Sequence, residues 1–320
     1  MLGRRQYRIK VLQALYAYFQ GAEPRLEVAG KNLLTSIEKF HELYYLFFSF
    51  IFEVAHFYAY RMEESKTKFF PTPEELNPSL KFLENRLLTQ LRNNKDLAAK
   101  ISKYKFSWTE EQDMVRKVHQ KLKSSKDLAE YLKSGQSSYM EDQDFLEKMF
   151  RKIIVKSPEL QSYCEERNIF WYDDFDIAAV FVLKTMKLLT ESFGESDQVA
   201  NLLMKDADED TKEDQKFILD LFKKTIIHSE SLDKLIEPRT KNWELERIAL
   251  TDIILIKMAL IELMHFPQIP VKVTMNEYIE ISKHFSSHKS KLFINGILDK
   301  LTTDLTEEKK ILKTGRGLVT

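Results

Sequence analysis

The chain has 320 residues, of which 49 are basic and 49 acidic, so its formal net charge is +0. This balance excludes attraction of nucleic acid by the protein as a whole, and any such site must be a local patch. Only 8 Gly and 8 Pro are present and 31% of the residues are charged, which favours an all-α protein. The single cysteine, Cys164, excludes an intramolecular disulfide and favours a reducing compartment.

The most apolar short segment is residues 43–52 (LYYLFFSFIF). Ten residues are too few to cross a bilayer, and the segment is too far from the N-terminus for a signal peptide. We therefore predict a buried aromatic helix and a cytoplasmic protein. The composition leaves open whether this segment fills the core or a dimer interface.

The N-terminal segment predicts a helix over Arg4–Gln20, because its apolar residues follow helical spacing. Its first turns are basic and contain no acid. Such a run either keeps a terminus soluble or binds phosphates. A second helix is predicted over residues 37–62, followed by a proline-rich linker at residues 70–73.

Residues 141–189 resemble residues 213–261 at a constant offset of 72, the distance from Trp171 to Trp243 (243 − 171). EDQDFLEKMFRKIIVKSPEL then aligns with EDQKFILDLFKKTIIHSESL without a gap. Such self-similarity indicates duplicated helical units. A fainter similarity places Trp108 in the same register, with capping-box spacing over Ser107–Glu110, and either a third copy or the chance recurrence of Leu in helices explains it. We expect the three tryptophans to be packing anchors.

The segment over residues 248–264 is apolar nearly all round and contains only four polar residues. A helix of this kind must be covered on most sides, so it is predicted to be the centre of a bundle. Pro267 and Pro270 end it. Thr274 and Glu277 have the spacing of a capping box that would begin the next helix, and a further apolar helix follows the break at residues 286–288.

Two of these segments carry a family resemblance. IPVKVTMNEYIEISKHFSSHKSKLFINGILDKL resembles the C-terminal signature of the NusB family of transcription antitermination factors, and RRQYRIKVLQALYAYFQ resembles the arginine-rich opening of that family. The implied fold is an all-α, NusB-like helical bundle enlarged by inserted, internally repeated helical units. The expected division is NusB-like N-terminal helices (1–62), an inserted region (63–210, with repeat units near 82–130 and 141–190), a NusB-like C-terminal core (211–306) and a basic tail (307–320).

The resemblance implies an RNA-binding antitermination factor that binds a boxA-type element of nascent rRNA together with a NusE-like small-subunit ribosomal protein, within a complex on RNA polymerase. It implies that the protein partner contacts Tyr16 of the first helix and the exposed side of residues 248–263, including Glu262. Close helix packing is expected at Asn295 and Gly296. The implied RNA-binding residues are Arg4, Arg5, Arg8, Lys10, Lys289, Ser290, Lys291 and Phe293.

Motifs for catalysis are absent from the sequence. It has no glycine-rich phosphate loop, no nucleophile elbow and no His/Cys cluster with zinc spacing, so we expect no enzyme activity, no cofactor and no metal. The acidic clusters at residues 173–176 and 206–210 are typical of helix starts and solvated turns.

Two alternative functions compete with antitermination. A helical protein-interaction scaffold without specific RNA binding stays open, whereas an rRNA cytosine methyltransferase would need an α/β domain that this sequence lacks. The sequence does not reveal the exact RNA sequence that is bound or the oligomeric state. It also does not reveal the role of the inserted region, or whether that region covers or extends the RNA surface.

Overall fold

The computed structural model describes residues 3–22, 25–135, 138–199, 211–239 and 248–318, with the side chains at 211, 212, 288, 289 and 316 excluded. Within these ranges the protein is all-α and contains no strand, as predicted. The helices are α1 (Arg4–Gln20), α2 (Leu26–Lys66), α3 (Pro73–Leu76), α4 (Arg86–Asn93), α5 (Lys95–Tyr104), α6 (Gln112–Lys123), α7 (Lys126–Lys133), α8 (Tyr139–Met149), α9 (Pro158–Arg167), α10 (Ile169–Leu188), α11 (Thr211–Ile227), α12 (Ser229–Ile236), α13 (Leu250–His265), α14 (Val271–Phe285) and α15 (His288–Glu307).

The chain forms two compact units. One comprises residues 38–206, and the other combines residues 2–37 with 207–320. The division passes through α2, whose first part belongs to the second unit and whose remainder belongs to the first. The predicted boundaries at residues 62 and 210 describe an insertion relative to a family and stay a prediction.

In the first unit, α2 contacts α5, α6 and α10 through aromatic side chains. The indole N–H of Trp108 donates to the Ser49 hydroxyl at 2.9 Å, and that of Trp171 donates to the Lys39 carbonyl at the same distance. Both indoles are buried, which satisfies their polar N–H and adds a large apolar contact. The aromatic segment at residues 43–52 includes Ser49, and most of its side chains have no exposed surface. It therefore belongs to the core of this unit.

The helix boundaries are compatible with the proposed repeat. At the offset of 72, α8 and its π-helical extension Phe150–Ile154 correspond to α11, and α9 corresponds to α12 with the short 3₁₀ helix Glu237–Arg239. Buried side chains coincide, as at Phe150 with Phe222 and at Leu160 with Leu232. Trp243 lies outside the described residues. True duplication, including the third copy, stays a prediction.

The second unit is organised around α13, in which every residue from Ile254 to Leu263 is buried. This confirms the prediction that the apolar segment is a central helix. α1, α11, α14 and α15 all pack against it. The chain then turns at Pro267, and the following residues lead into α14.

Three details differ from the sequence-based expectations. α2 begins at Leu26 rather than near residue 37. α14 begins at Val271, directly after its N-cap residue Pro270, so Thr274 lies inside the helix and does not cap it. α6 begins at Gln112 rather than at Trp108, and the Ser107 hydroxyl bonds to Thr109 instead.

Candidate nucleic-acid interface

The first turn of α1 presents two arginines to solvent in the second unit. The Arg4 side chain is 43% exposed, lies 3.2 Å from the Asp214 carboxylate and stacks over the Phe217 ring at 4.4 Å. The Arg5 side chain is 45% exposed and donates two hydrogen bonds, of 2.8 and 2.7 Å, to the Glu277 carboxylate. These bonds raise the pKa of Arg5 above its usual value. Both cations are therefore accessible and held by acidic neighbours.

Arg8 lies one turn further and points into the core. It donates two hydrogen bonds of 2.7 Å to the Glu262 carboxylate, and both side chains are almost completely buried. The Thr274 hydroxyl and the Tyr278 hydroxyl donate to the same carboxylate at 2.8 and 3.2 Å. Burial alone would lower the pKa of Arg8, but the hydrogen bonds and negative charge of Glu262 outweigh it and raise that pKa.

This arrangement corrects one expectation. Glu262 does not lie on an exposed side of the central helix, since its side chain has no exposed surface. Lys10 is also buried, with only 5% of its surface exposed. In this structure Arg8, Lys10 and Glu262 are part of the interior. Tyr16, the other predicted partner contact, is 44% exposed.

The start of α15 forms the other side of the candidate interface. The Ser287 hydroxyl accepts the Ser290 backbone N–H at 3.2 Å and so caps the helix, and the two hydroxyls lie 2.8 Å apart. Ser290 and Lys291 are half-buried. The side chain of Lys289 is outside the described residues. Phe293 is also half-buried, with part of its ring accessible.

Asn295 and Gly296 of α15 were expected to pack closely against another helix, and the structure shows a different arrangement. Gly296 is exposed, and a Cβ atom placed on it would meet no described atom within 4 Å. The Asn295 amide donates to the Asp299 carboxylate at 3.0 Å along the same helix. Neither residue mediates close helix packing, so this prediction is wrong.

Two acidic residues of α14, Glu277 and Glu280, interact with basic residues of the candidate interface. Glu277 binds Arg5, as described above. The Lys283 ammonium, which hydrogen-bonds to Glu280, lowers the pKa of that carboxyl, and the positive charges of Arg5 and Lys291 act in the same direction. The positive charges of Arg5 and Lys291, from helices far apart in sequence, therefore both favour the ionised form of Glu280. Glu277 and Glu280 are not among the predicted interface residues, although helical spacing places both in the predicted helix that corresponds to α14.

The described residues offer little else to bind small ligands in this region. Among them, no group of three or more His, Cys, Asp or Glu side chains is arranged to hold a metal ion. No helix in the described part of the chain is both long and apolar enough to cross a membrane. The acidic cluster at residues 206–210 lies outside the described residues.

Comparison with known proteins assigns these helices to a family. The protein-family model described as "NusB family" matches residues 177–303. The chain is 36% identical over 138 residues to the transcription antitermination protein NusB of Salinibacter ruber, covering 43% of this chain and 86% of that protein. It is 39% identical over 93 residues to NusB of Geotalea daltonii, which covers 29% of this chain and 64% of that protein. It is 41% identical over 106 residues to NusB of Koribacter versatilis, which covers 33% of this chain and 70% of that protein. No solved structure matches the chain.

Proposed function

The chain belongs to the NusB family, and from this premise we propose that it is an RNA-binding transcription antitermination factor. It binds a single-stranded, boxA-type element of nascent rRNA and contributes to an antitermination complex on RNA polymerase. The proposal involves no catalysed reaction, no cofactor and no metal. The observation that carries it is the accessible pair Arg4 and Arg5 at the start of α1, in a segment that carries the family resemblance.

The proposed RNA surface consists of Arg4, Arg5, Lys289, Ser290, Lys291 and Phe293. The arginines neutralise phosphates, and their planar guanidinium groups suit phosphate oxygens. The accessible part of the Phe293 ring stacks on an unpaired base, as aromatic side chains do in single-stranded RNA recognition. Arg8 and Lys10 belong to the same helix, and we assign them to holding α1 in place, since both are buried.

We further propose that a NusE-like ribosomal protein contacts this unit near Tyr16, whose exposed ring has the amphipathic character common in protein interfaces. Glu262 is buried and does not contact the partner directly. Its hydrogen bond with Arg8 fixes α1, which carries Tyr16, to α13. The complex so formed acts in the cytoplasm, where rRNA is transcribed.

A second function is favoured by the ion pairs of the basic patch. Asp214 and Glu277 neutralise Arg4 and Arg5, which reduces the local positive charge available to RNA. A protein-interaction scaffold that kept the fold without specific RNA binding fits this observation. Binding experiments separate the two functions.

The test is fluorescence anisotropy of a labelled boxA-type RNA, with the full chain alone and with the NusE-like protein. We expect binding that is stronger than to a scrambled RNA of the same composition and that increases when the partner is added. Equal binding of both RNAs, or no binding even with the partner, would leave the scaffold as the function. Replacing Tyr16 with Ala should abolish only the increase caused by the partner.

A further inference from the structure

We propose a second binding surface for single-stranded nucleic acid, located on the first unit and formed by Lys100, Lys103, Tyr104, Lys105 and Phe106. We call it the lysine–aromatic surface. It lies at the end of α5, outside residues 177–303 that match the family model. It is independent of the interface on the second unit.

The first observation is a concentration of positive charge in a chain that is neutral overall. Residues 92–106 contain five basic residues and one acid, Asp96. All five basic side chains are exposed. The Asp96 carboxylate, which accepts the Val199 backbone N–H at 3.3 Å, offsets only one of these five charges. This segment is a local cationic patch of the kind that phosphates require.

Nearby acids cancel only part of this charge. Glu38 on α2 binds the Lys103 ammonium at 3.2 Å, and Glu42 is paired with Lys39 at 2.6 Å. Lys100 and Lys105 form no ion pair with a residue that the structure describes. Two exposed lysines on this surface are thus available to phosphates.

The second observation is a stack of three aromatic rings that leads from the core to this surface. Tyr45 is buried in the first unit and stacks on Tyr104, with centroids 6.0 Å apart and planes at 26°. Tyr104 stacks in turn on Phe106 at 5.8 Å and 27°. Among the described residues, Phe106 has no other ring neighbour, and it is half-exposed. A nucleobase extends such a stack, because every base offers a flat π face.

The third observation is the backbone at Lys105, which has φ of 51° and ψ of 44°. This left-handed conformation at a helix end is usually occupied by glycine, since a side chain makes it less favourable. Here a lysine occupies it, between the half-exposed Tyr104 and Phe106. Lys105→Gly therefore removes the ammonium group without removing any packing that the fold requires.

These three features favour a polynucleotide over an acidic peptide. An acidic peptide would be satisfied by the lysines alone and would gain nothing from the stacked, half-exposed rings. Single-stranded RNA and single-stranded DNA share the required phosphates and bases, and the experiment distinguishes them. The surface provides binding that depends little on base sequence, because it contains cations and rings but no fixed array of base-specific donors.

The experiment uses the full chain carrying Arg4→Ala and Arg5→Ala, so that the interface on the second unit is impaired. A 5-iodouridine-substituted oligo(U) 20-mer is titrated at several salt concentrations, then crosslinked and mapped by mass spectrometry. We expect crosslinks within residues 95–106. Adding Lys100→Ala and Lys105→Gly should lower the slope of log affinity against log salt by about 1.4, at about 0.7 per phosphate contact. Phe106→Leu should weaken binding about fivefold or more.

The matched control replaces Lys126 and Lys133, exposed lysines of α7, and should leave affinity and crosslinks unchanged. Lys105→Gly should leave the thermal midpoint unchanged or raised, which separates loss of binding from loss of folding. Oligo(dU) of equal length tells whether DNA binds as well. Crosslinks confined to other segments, or equal effects of the α5 and α7 variants, would overturn this proposal while leaving boxA-selective binding untouched.

Discussion

Arg8 and Glu262 are 254 residues apart in the chain and are joined by two hydrogen bonds of 2.7 Å in the interior of the second unit. The pair connects α1, which starts with the exposed arginines, to the central helix α13. Thr274 and Tyr278 complete the hydrogen bonding of the carboxylate from α14. One buried charge pair therefore fixes the three helices that position the candidate RNA surface.

Breaking this pair should be costly. Arg8→Met leaves the Glu262 carboxylate buried without its cation, and we expect a loss of about 3–5 kcal/mol in the free energy of unfolding. Urea denaturation followed by circular dichroism measures it. The double variant Arg8→Met, Glu262→Leu should recover much of the loss, since it removes both charges. A single variant that loses less than about 1 kcal/mol would show that the pair does not stabilise this unit.

Releasing Arg5 should strengthen RNA binding. Glu277→Gln removes the carboxylate that holds the guanidinium by two hydrogen bonds. Because such partly exposed pairs contribute up to ~1 kcal/mol, affinity for the boxA-type RNA should rise by up to about fivefold at low salt. Glu307→Gln, an equal charge change at the exposed far end of α15, serves as control. Weaker binding by Glu277→Gln would mean that the carboxylate positions Arg5 for RNA rather than competing with it.

The tryptophan anchors of the first unit should be sensitive to small changes. Trp171→Phe removes the hydrogen bond to Lys39 and part of a side chain that is 1% exposed, so we expect a loss of about 1–3 kcal/mol. Chemical denaturation gives the value. Tyr172→Phe on the exposed face of the same helix should change stability by less than about 0.5 kcal/mol. Equal effects of the two variants would contradict an anchoring role.

Acid should destabilise the first unit through His119. Burial, aided by the charges of Lys123 and Arg61, lowers the pKa of this histidine from its usual 6.5 to about 4. The unfolded chain therefore takes up the proton first, so stability present above pH 6.5 is lost as pH falls towards 4. We expect a loss on the order of 1 kcal/mol between pH 7 and 5.

Urea midpoints at the two pH values test this effect. His119→Phe keeps an aromatic ring beside Phe57 and Tyr58 and should make the midpoint less dependent on pH. His56→Gln, at a side chain that is 77% exposed, should leave that dependence as it is. An unchanged pH dependence in the His119 variant would refute the assignment.

Local patterns predicted the helices well where one physical signal acted alone. The bounds of α1 and the burial of α13 follow directly from apolar spacing. The capping-box prediction at Thr274 is wrong because its hydroxyl binds the buried Glu262 carboxylate, a partner that no local pattern reveals. Likewise, a charge run at the N-terminus does not tell which arginines are accessible. The core position of Arg8 depends on a residue 254 positions away.

The packing partners of α2 could not be predicted from the sequence for a related reason. Its apolar segment predicted a buried helix but not its partners, and Trp108 and Trp171 are satisfied by α2 groups distant in sequence. The interface acids Glu277 and Glu280 were not predicted because acidic residues in a basic segment resemble ordinary solvated positions. Their proximity to Arg5 and Lys291 arises only when α1, α14 and α15 pack together.

The most direct test of the RNA-binding function is the affinity for a short boxA-type RNA at several salt concentrations, for the parent chain and for Arg4→Ala, Arg5→Ala. The account predicts selective binding, with a slope of log affinity against log salt that falls by about 1.4 in the variant because two phosphate contacts are lost. Identical slopes and affinities for the two proteins would contradict the claim that the start of α1 binds RNA.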